Sequence, residues 1–381
     1  MTHRLSRRSL LRSGIAALGC ALPGAAWPRR AAAAASRPRS LVLLWMNGGP
    51  SHIDTFDPKP GTREGGSFKA IATRTAGLRF AEHLPRLAEQ SARLTVVRSL
   101  TSKEGNHVRA QHLLHTSYAP NPTVVHPSLG GWISKTTPAP ASGLPAFVAI
   151  GGPGGGGGFL GAEHGPFVLQ KGGKAPPNLR PPRGVDDARF ARRRELLAAL
   201  EGRFALETGD GKVAARGALY DKAATLMASP ATRAFDLASE PERVRVAYGD
   251  TDFGRGCLVA RRLVEQGVPC VEVVLDGWDT HVDNFDRVAK QSATLDAAFS
   301  ALLDDLAARE LLATTAVVCL GEFGRTPRIN ERGGRDHHPA AFSAVLAGGA
   351  FRPGPYGETD ATGGRVAQGA VSVPDFLATV A

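Results

Sequence analysis

The chain has 381 residues, with 46 Lys and Arg against 35 Asp and Glu, and a formal net charge of +11 at pH 7. Six of the arginines and no acidic residue lie in the first 36 residues, which leaves 40 basic against 35 acidic residues, a net charge of +5, in the rest. That modest excess, with only 6% aromatic residues and no basic stripe, argues against a nucleic-acid partner.

The first 36 residues have the composition of an export signal. Arg7 and Arg8 precede an apolar stretch rich in Ala and Gly, and Ala31 to Ala35 offers small residues for cleavage. This pattern resembles a twin-arginine signal peptide, which predicts recognition by the twin-arginine export machinery and a periplasmic or extracellular location. The stretch is too short for a convincing membrane span, and we expect none in the mature protein. A retained N-terminal anchor is the alternative.

Buried strands and amphipathic helices alternate along residues 37–381, which predicts a single α/β domain. Continuous apolar runs predict strands at Ser40–Met46, Leu94–Val97, Phe147–Ile150, Val268–Leu275, Ala316–Leu320 and Phe342–Leu346. Apolar residues at helical spacing predict helices at about 84–93, 190–204, 219–227, 257–265 and 295–306. The helix between the fourth and fifth of these strands makes them parallel neighbours.

Residues 151–237 are predicted to be an insertion in this domain. Its first part is dense in Pro and Gly and contains the run Gly154–Gly158, which lacks the Lys and Ser/Thr of a phosphate-binding loop. We expect this part to be flexible and the second part to be helical. The cysteines Cys257, Cys270 and Cys319 are widely spaced among apolar residues, which indicates small core residues rather than disulfides.

Carboxylate and imidazole side chains follow four of the predicted strands, at the edge where parallel α/β sheets bind ligands. The candidate metal ligands are Asp54, Asp279, His281, Asp283, Glu322, Asp336 and His337, with His338 as the alternative last ligand. This mixture of oxygen and nitrogen donors predicts a divalent metal ion, and it suits Zn, Mn or Fe better than Ca or Mg. A solvated loop with ordinary ion pairs is the alternative.

Thr101 and Ser102 end the second strand, just ahead of a predicted helix that carries His107. A nucleophile that attacks an anionic ester would occupy this position, because a helix N-terminus favours negative charge. An ordinary N-cap is the alternative for either hydroxyl. With His107 and Arg325 these residues are the candidate catalytic group.

Four phrases of the chain resemble the family called domain of unknown function 1501, and they are Gly48–Gly61, Gly277–Phe285, Gly321–Pro327 and Gly334–His337. That family consists of exported bacterial proteins grouped with the alkaline phosphatase and sulfatase superfamily. The resemblance implies a three-layer α/β/α sandwich with a mostly parallel central sheet, and a metal-dependent hydrolase ancestry. It implies no particular substrate.

Two functions follow as hypotheses. The first is an exported metal-dependent hydrolase of a phosphate or sulfate ester, whose anionic substrate is carried on a polysaccharide or a lipid. The second is a non-catalytic binding or cell-surface interaction protein that retains the hydrolase fold. The absence of the sulfatase signature Cys/Ser-x-Pro-x-Arg, and Asn47 where the superfamily has aspartate, argue against true sulfatase activity and leave the second hypothesis open as the alternative.

Overall fold

The computed structural model describes residues 38–208, 212–349 and 351–381. The predicted signal peptide therefore lies outside the described residues. The strands are β1 (Ser40–Asn47), β2 (Ala70–Ala72), β3 (Arg79–Ala81), β4 (Leu94–Thr101), β5 (Phe147–Ile150), β6 (Phe167–Leu169), β7 (Cys270–Asp276), β8 (Thr315–Leu320), β9 (Gly324–Arg325), β10 (His337–His338), β11 (Phe342–Ala347), β12 (Gly354–Tyr356), β13 (Glu358–Thr359), β14 (Val366–Gln368) and β15 (Val371–Ser372). The helices are α1 (Pro85–Glu89), α2 (His107–Thr116), α3 (Leu129–Thr136), α4 (Asp187–Thr208), α5 (Lys212–Ala228), α6 (Glu242–Tyr248), α7 (Asp252–Glu265), α8 (Asn284–Ala308) and α9 (Val373–Val380).

A nine-stranded sheet forms the centre of the fold, in the order β12-β4-β11-β8-β1-β7-β5-β6, with β15 also paired to β4. β1 lies between β7 and β8 and is parallel to both. β7 and β8 therefore run in the same direction, as predicted, but the prediction that they are neighbours is wrong, because β1 pairs between them. β11 is antiparallel to its neighbours β4 and β8, and the other pairs of this sheet are parallel. The predicted mostly parallel sheet is confirmed.

Helices cover both faces of the sheet, because its central strands are apolar on both sides. On one face Leu44 belongs to a core that includes Phe299 of α8. On the other face Leu43 belongs to a second core, with Leu114 of α2 and Phe376 of α9. Burying each such side chain contributes about 1.5–3 kcal/mol. The three-layer α/β/α sandwich is therefore confirmed as the fold class.

The predicted insertion contains β6 and the two long helices α4 and α5. The end of its glycine run packs closely against residues 125–127. Gly158 has φ +51°, and a Cβ there would lie 2.5 Å from the backbone nitrogen of Pro127. The next residue, Phe159, donates its backbone N–H to Val125 O at 2.9 Å. The turn at Gly158 therefore requires glycine at this close approach, and the flexibility of the insertion stays a prediction.

The three cysteines predicted as core residues are all buried and unpaired. Cys257 and Cys319 lie in one core, and Cys270 lies in the other. Burial raises the pKa of each thiol, so these groups remain protonated and inert. Among the helices that the structure describes, none is long and apolar enough to cross a membrane.

Candidate metal centre

The candidate site lies beyond the carboxyl ends of β1, β7 and β8. Asn47 and Asp276, the last residues of β1 and β7, are paired in register, and Asn47 Nδ2 donates to Asp276 Oδ1 at 2.8 Å. Gly48 N–H donates to the carboxylate of Glu322, which follows β8, at 3.0 and 3.2 Å. The parallel strands thus place residues that are more than 200 positions apart in sequence at the same edge of the sheet.

Two glycines let the loops of this edge pack backbone against backbone. Gly48 has φ +114°, and a Cβ there would lie 2.4 Å from the backbone nitrogen of Asp279. A Cβ on Gly334 would lie 2.0 Å from the carbonyl oxygen of His281. Any side chain at either position would therefore displace a loop that carries a candidate ligand.

His107 is the first residue of α2, and its ring is oriented by Glu322. Its Nδ1 lies 2.7 Å from Glu322 Oε1, and the Glu322 side chain is fully buried. An ionised carboxylate only accepts hydrogen bonds, so His107 Nδ1 carries the proton and the neutral ring has its lone pair on Nε2. The hydrogen bond to Glu322 raises the pKa of His107. His107 Nε2 is buried and has no hydrogen-bond partner among the described residues.

His281 and His337 are oriented in the same way. His281 Nδ1 lies 2.8 Å from Asp336 Oδ1, and His337 Nδ1 lies 2.7 Å from the carbonyl oxygen of Gly105. Both partners are acceptors, so each Nδ1 donates and each neutral ring presents its Nε2 lone pair. These two Nε2 atoms lie 3.0 Å apart. Burial lowers the pKa of His337, which favours its neutral form.

The three Nε2 atoms converge on the carboxylate of Asp279. Its Oδ1 lies 3.1 Å from His281 Nε2 and 3.4 Å from His337 Nε2, and its Oδ2 lies 3.4 Å from His107 Nε2. Burial opposes ionisation of Asp279, but the hydrogen bond and charge of Arg325 outweigh it and lower the pKa of Asp279. The Nε2 atoms of all three imidazoles therefore lie within 3.4 Å of an oxygen of the Asp279 carboxylate.

This donor set fits a divalent metal ion. Two ligand atoms bound to one zinc ion at about 2.0–2.1 Å in a tetrahedron would lie about 3.3 Å apart, close to the separations of 3.0 to 3.4 Å seen here. His107, Asp279 and His337 form the group whose ligand atoms all lie within 4.8 Å of one another. His281 Nε2 lies beside this group of three, 3.0 Å from His337 Nε2 and 3.1 Å from Asp279 Oδ1. The unpartnered His107 Nε2 is the atom that a cation would satisfy. Three nitrogens and one oxygen suit Zn, Mn or Fe.

Arg325 and Glu322 hold two of the candidate ligands in position through hydrogen bonds. The buried Arg325 donates to the carbonyl oxygens of Gly48, Gly49 and Arg335 and, at 2.6 Å, to Asp279 Oδ1. Four of its five N–H donors are thus used within the protein, so the Arg325 side chain holds Asp279 and the neighbouring backbone in place, and a catalytic role for Arg325 stays a prediction. Glu322 accepts from His107 and Gly48, so it orients a ligand rather than acting as one. Such orienting carboxylates are usual behind metal-bound histidine.

Two of the predicted ligands lie outside the cluster. Both oxygens of the fully buried Asp54 accept from Arg335, at 2.7 and 2.9 Å, and Asn284 also donates to it. Asp54 therefore anchors the loop that carries His337. Asp283 is exposed, with φ +50° at the start of α8, and no contact joins it to the four candidate ligands among the described residues.

The predicted nucleophiles Thr101 and Ser102 lie where the sequence places them, at the end of β4 and ahead of the helix that carries His107, but neither is the N-cap of that helix. Thr101 ends β4 and is paired with Ser372 of β15. Ser102 Oγ accepts the backbone N–H of Glu104 at 3.1 Å. The N-cap of α2 is Asn106, whose side chain accepts the N–H of Arg109. No hydrogen bond in the described part of the chain joins either hydroxyl to the cluster.

The structure distinguishes the two adjacent histidines. Successive side chains of β10 point to opposite sides, and His338 Nε2 lies 2.8 Å from the carbonyl oxygen of Gly364, away from Asp279.

Sequence reasoning missed Gln111, which donates to Asn47 Oδ1 at 2.7 Å. Its position four residues after His107, on the same face of α2, was the available signal.

The fold and the site together define an α/β/α sandwich with a histidine and carboxylate cluster at the carboxyl edge of its sheet. The chain belongs to the family described as "Protein of unknown function (DUF1501)", whose model matches residues 38–381. The resemblance found in the sequence is thereby confirmed. No curated protein sequence matches the chain.

Solved structures similar to this chain include sulfatases and alkaline phosphatases. The PsFucS1 sulfatase from Pseudoalteromonas sp. is 12% identical, with 91% of this chain and 68% of that chain covered and a TM-score of 0.42. Ps i-CgsB, solved with k-i-k-neocarrahexaose, is 10% identical, with 90% and 70% covered and a TM-score of 0.44. The alkaline phosphatase from the Antarctic bacterium TAB5 is 10% identical, with 90% and 97% covered and a TM-score of 0.34.

Proposed function

We propose that the protein is a metal-dependent hydrolase that acts on an anionic phosphate or sulfate ester. The observation that carries the proposal is the convergence of three oriented imidazole Nε2 atoms on Asp279. His107, His281, His337 and Asp279 are the residues that would hold the ion. A divalent ion bound there would polarise the ester oxygen and lower the pKa of a bound water.

Hydrogen bonds within the protein fix the orientation of the candidate ligands without any substrate. Asp336, Glu322 and the carbonyl oxygen of Gly105 hold the Nδ1 protons, which fixes each ring and directs its Nε2 atom inward. Arg325 holds Asp279 in place and compensates part of its charge. The Asp279 side chain is still 46% exposed, so a substrate could reach the cluster from solvent.

The contacts of the hydroxyl groups favour water over a side chain as the attacking group. Ser102 Oγ is used in a turn, and among the described residues no Ser or Thr hydroxyl is hydrogen bonded to the four ligands. The same observation favours the second candidate function, in which the protein binds an anionic ester through the ion without turnover. The ester group would belong to a polysaccharide or a lipid.

We further propose that the protein is exported through the twin-arginine pathway and works in the periplasm or outside the cell. The support is the pair Arg7 and Arg8 ahead of an apolar stretch that carries no acidic residue.

The test combines metal content with turnover. The purified protein, stripped by chelator and reloaded with zinc or manganese, should bind the ion and hydrolyse aryl phosphate or aryl sulfate esters. His337→Ala should lose both properties, whereas His338→Ala, at the neighbouring position, should keep both. Bound metal without hydrolysis of either ester class would favour the binding protein. A protein that binds no divalent ion would refute both candidates.

A further inference from the structure

Helix α4 presents an apolar face that the rest of the described chain does not cover. It is 22 residues long, and none of its residues is fully buried. Leu196, Leu200 and Phe204 are 62%, 59% and 54% exposed. Spacings of four place these three side chains on one face of the helix. A surface helix of a globular protein normally turns such a face to its core.

The same face and the segment before it are strongly basic. Arg192 and Arg193 precede Leu196 by four and three residues, so they share its face. Between residues 174 and 193 the only acidic residues are Asp186 and Asp187. The six cations of this segment are Lys174, Arg180, Arg183, Arg189, Arg192 and Arg193. All six are exposed, and within the described residues none of them forms an ion pair.

The exposed apolar face and the positive charge together indicate which kind of partner binds here. In a symmetric dimer the same patch meets itself, so the arginines of both copies would face one another. At the surface of an anionic bilayer, leucine and phenylalanine enter between the headgroups while arginines contact lipid phosphates. The bilayer therefore satisfies both the apolar and the cationic side chains.

We propose that α4 and residues 174–186 form a docking surface for an anionic phospholipid bilayer. Leu196, Leu200 and Phe204 insert at the interface, and the six cations supply the attraction to the headgroups. The inference is independent of the proposed hydrolase activity, because it uses no residue of the metal cluster.

The test is co-sedimentation of the full chain with vesicles of phosphatidylcholine alone or mixed with phosphatidylglycerol. Binding is expected to the anionic vesicles only and should weaken as salt is added. The triple variant Leu196→Ser, Leu200→Ser, Phe204→Ser should lower the partition coefficient about tenfold or more. Leu206→Ser is the matched control, since Leu206 is 89% exposed but lies about 200° around the helix from Phe204.

A second variant tests the charge without altering the apolar face. Arg189→Gln, Arg192→Gln, Arg193→Gln should reduce binding to the anionic vesicles and leave the thermal unfolding of the protein unchanged. All variants share the same first 36 residues, so differences among them report on α4. Equal binding to both vesicle types, or to neither, would overturn the proposal. A dimer in solution that the triple serine variant dissociates would instead assign this face to a second copy of the chain.

Discussion

His281 Nε2 and His337 Nε2 lie 3.0 Å apart, although in the neutral rings neither atom has a proton to share with the other. Two lone pairs at this distance repel each other, and the carboxylate of Asp279 adds a negative charge beside them. A shared cation removes this repulsion. The stability of the protein should therefore depend on divalent metal.

Metal at about a hundredfold over its dissociation constant should raise the free energy of unfolding by roughly 2.7 kcal/mol. For a domain of this size the melting temperature should rise by a few degrees, and a chelator should reverse the rise. His281→Ala should remove most of the effect, whereas His338→Ala should retain it. Identical melting curves of the parent with and without chelator would contradict the metal site.

Replacing Glu322 by glutamine tests whether the charged hydrogen bond between Glu322 and His107 increases metal affinity. An amide oxygen can still accept from His107 Nδ1, but the negative charge that strengthens this hydrogen bond is lost. Metal affinity should fall about ten- to a hundredfold, as measured by competition with a chromogenic chelator. Glu104→Gln is the control, because Glu104 pairs with Arg109 rather than with a ligand. Equal metal affinities of the two variants would show that the charge of Glu322 does not affect metal binding.

Asp54→Asn should destabilise the protein without removing its metal. The change leaves Arg335 without its buried counter-charge, which typically costs about 3–5 kcal/mol, measurable by urea unfolding at saturating metal. Asp283→Asn should change stability by no more than about 0.5 kcal/mol, since Asp283 is exposed. A folded Asp54→Asn protein with normal stability and no metal would instead make Asp54 a ligand.

The pair His115 and Glu272 should make stability depend on pH. His115 Nδ1 faces the carbonyl oxygen of Gln111 at 2.8 Å, and Nε2 faces Glu272 at 3.2 and 3.3 Å, so both nitrogens have acceptors. Burial opposes protonation, but the charge and hydrogen bond of Glu272 outweigh it and raise the pKa of His115.

The sign of the pH effect follows from that raised pKa. The stabilisation is fully present below the unfolded pKa of histidine, about 6.5, and is lost as pH rises through the higher folded value. Glu272→Gln should therefore cost about 1–3 kcal/mol at slightly acid pH and distinctly less at alkaline pH. Urea unfolding at both pH values measures this, and an equal cost at both would count against the charged pair.

Export should depend on the arginine pair of the N-terminal segment. Replacing Arg7 and Arg8 by lysine should leave the precursor in the cytoplasm, because the twin-arginine machinery distinguishes the two side chains. Cell fractionation and immunoblotting measure the change, with Arg12→Lys as the control. Normal export of the Arg7 and Arg8 variant would rule out this pathway.

The sheet and the edge that carries the site could be predicted because they depend on local patterns. The apolar run from Ala316 to Leu320 is short, contains two valines and is followed by Gly321, which favours a buried strand over a helix. One crossover helix then fixes the loops after β7 and β8 at the same edge. Asp279 and Glu322 were expected near each other for this reason, and the structure places both loops there.

The partners of the charged side chains could not be predicted, because they depend on contacts between distant parts of the chain. Asp54 and Arg335 are 281 residues apart, and nothing local distinguishes this carboxylate from a ligand. The separation of His337 from His338 depends on a two-residue strand. The acceptor for His337 is the backbone carbonyl of Gly105, which every residue possesses and no sequence pattern marks.

The backbone packing at Gly48 and Gly334 has a consequence for motion. Gly48 touches the loop of Asp279, and Gly334 touches the carbonyl of His281 in the same loop. The loops after β1, β7 and β8 therefore cannot open one at a time. Their amide hydrogens should exchange with solvent together, as one cooperative unit, and a bound ion would slow the exchange of all three loops by the same factor.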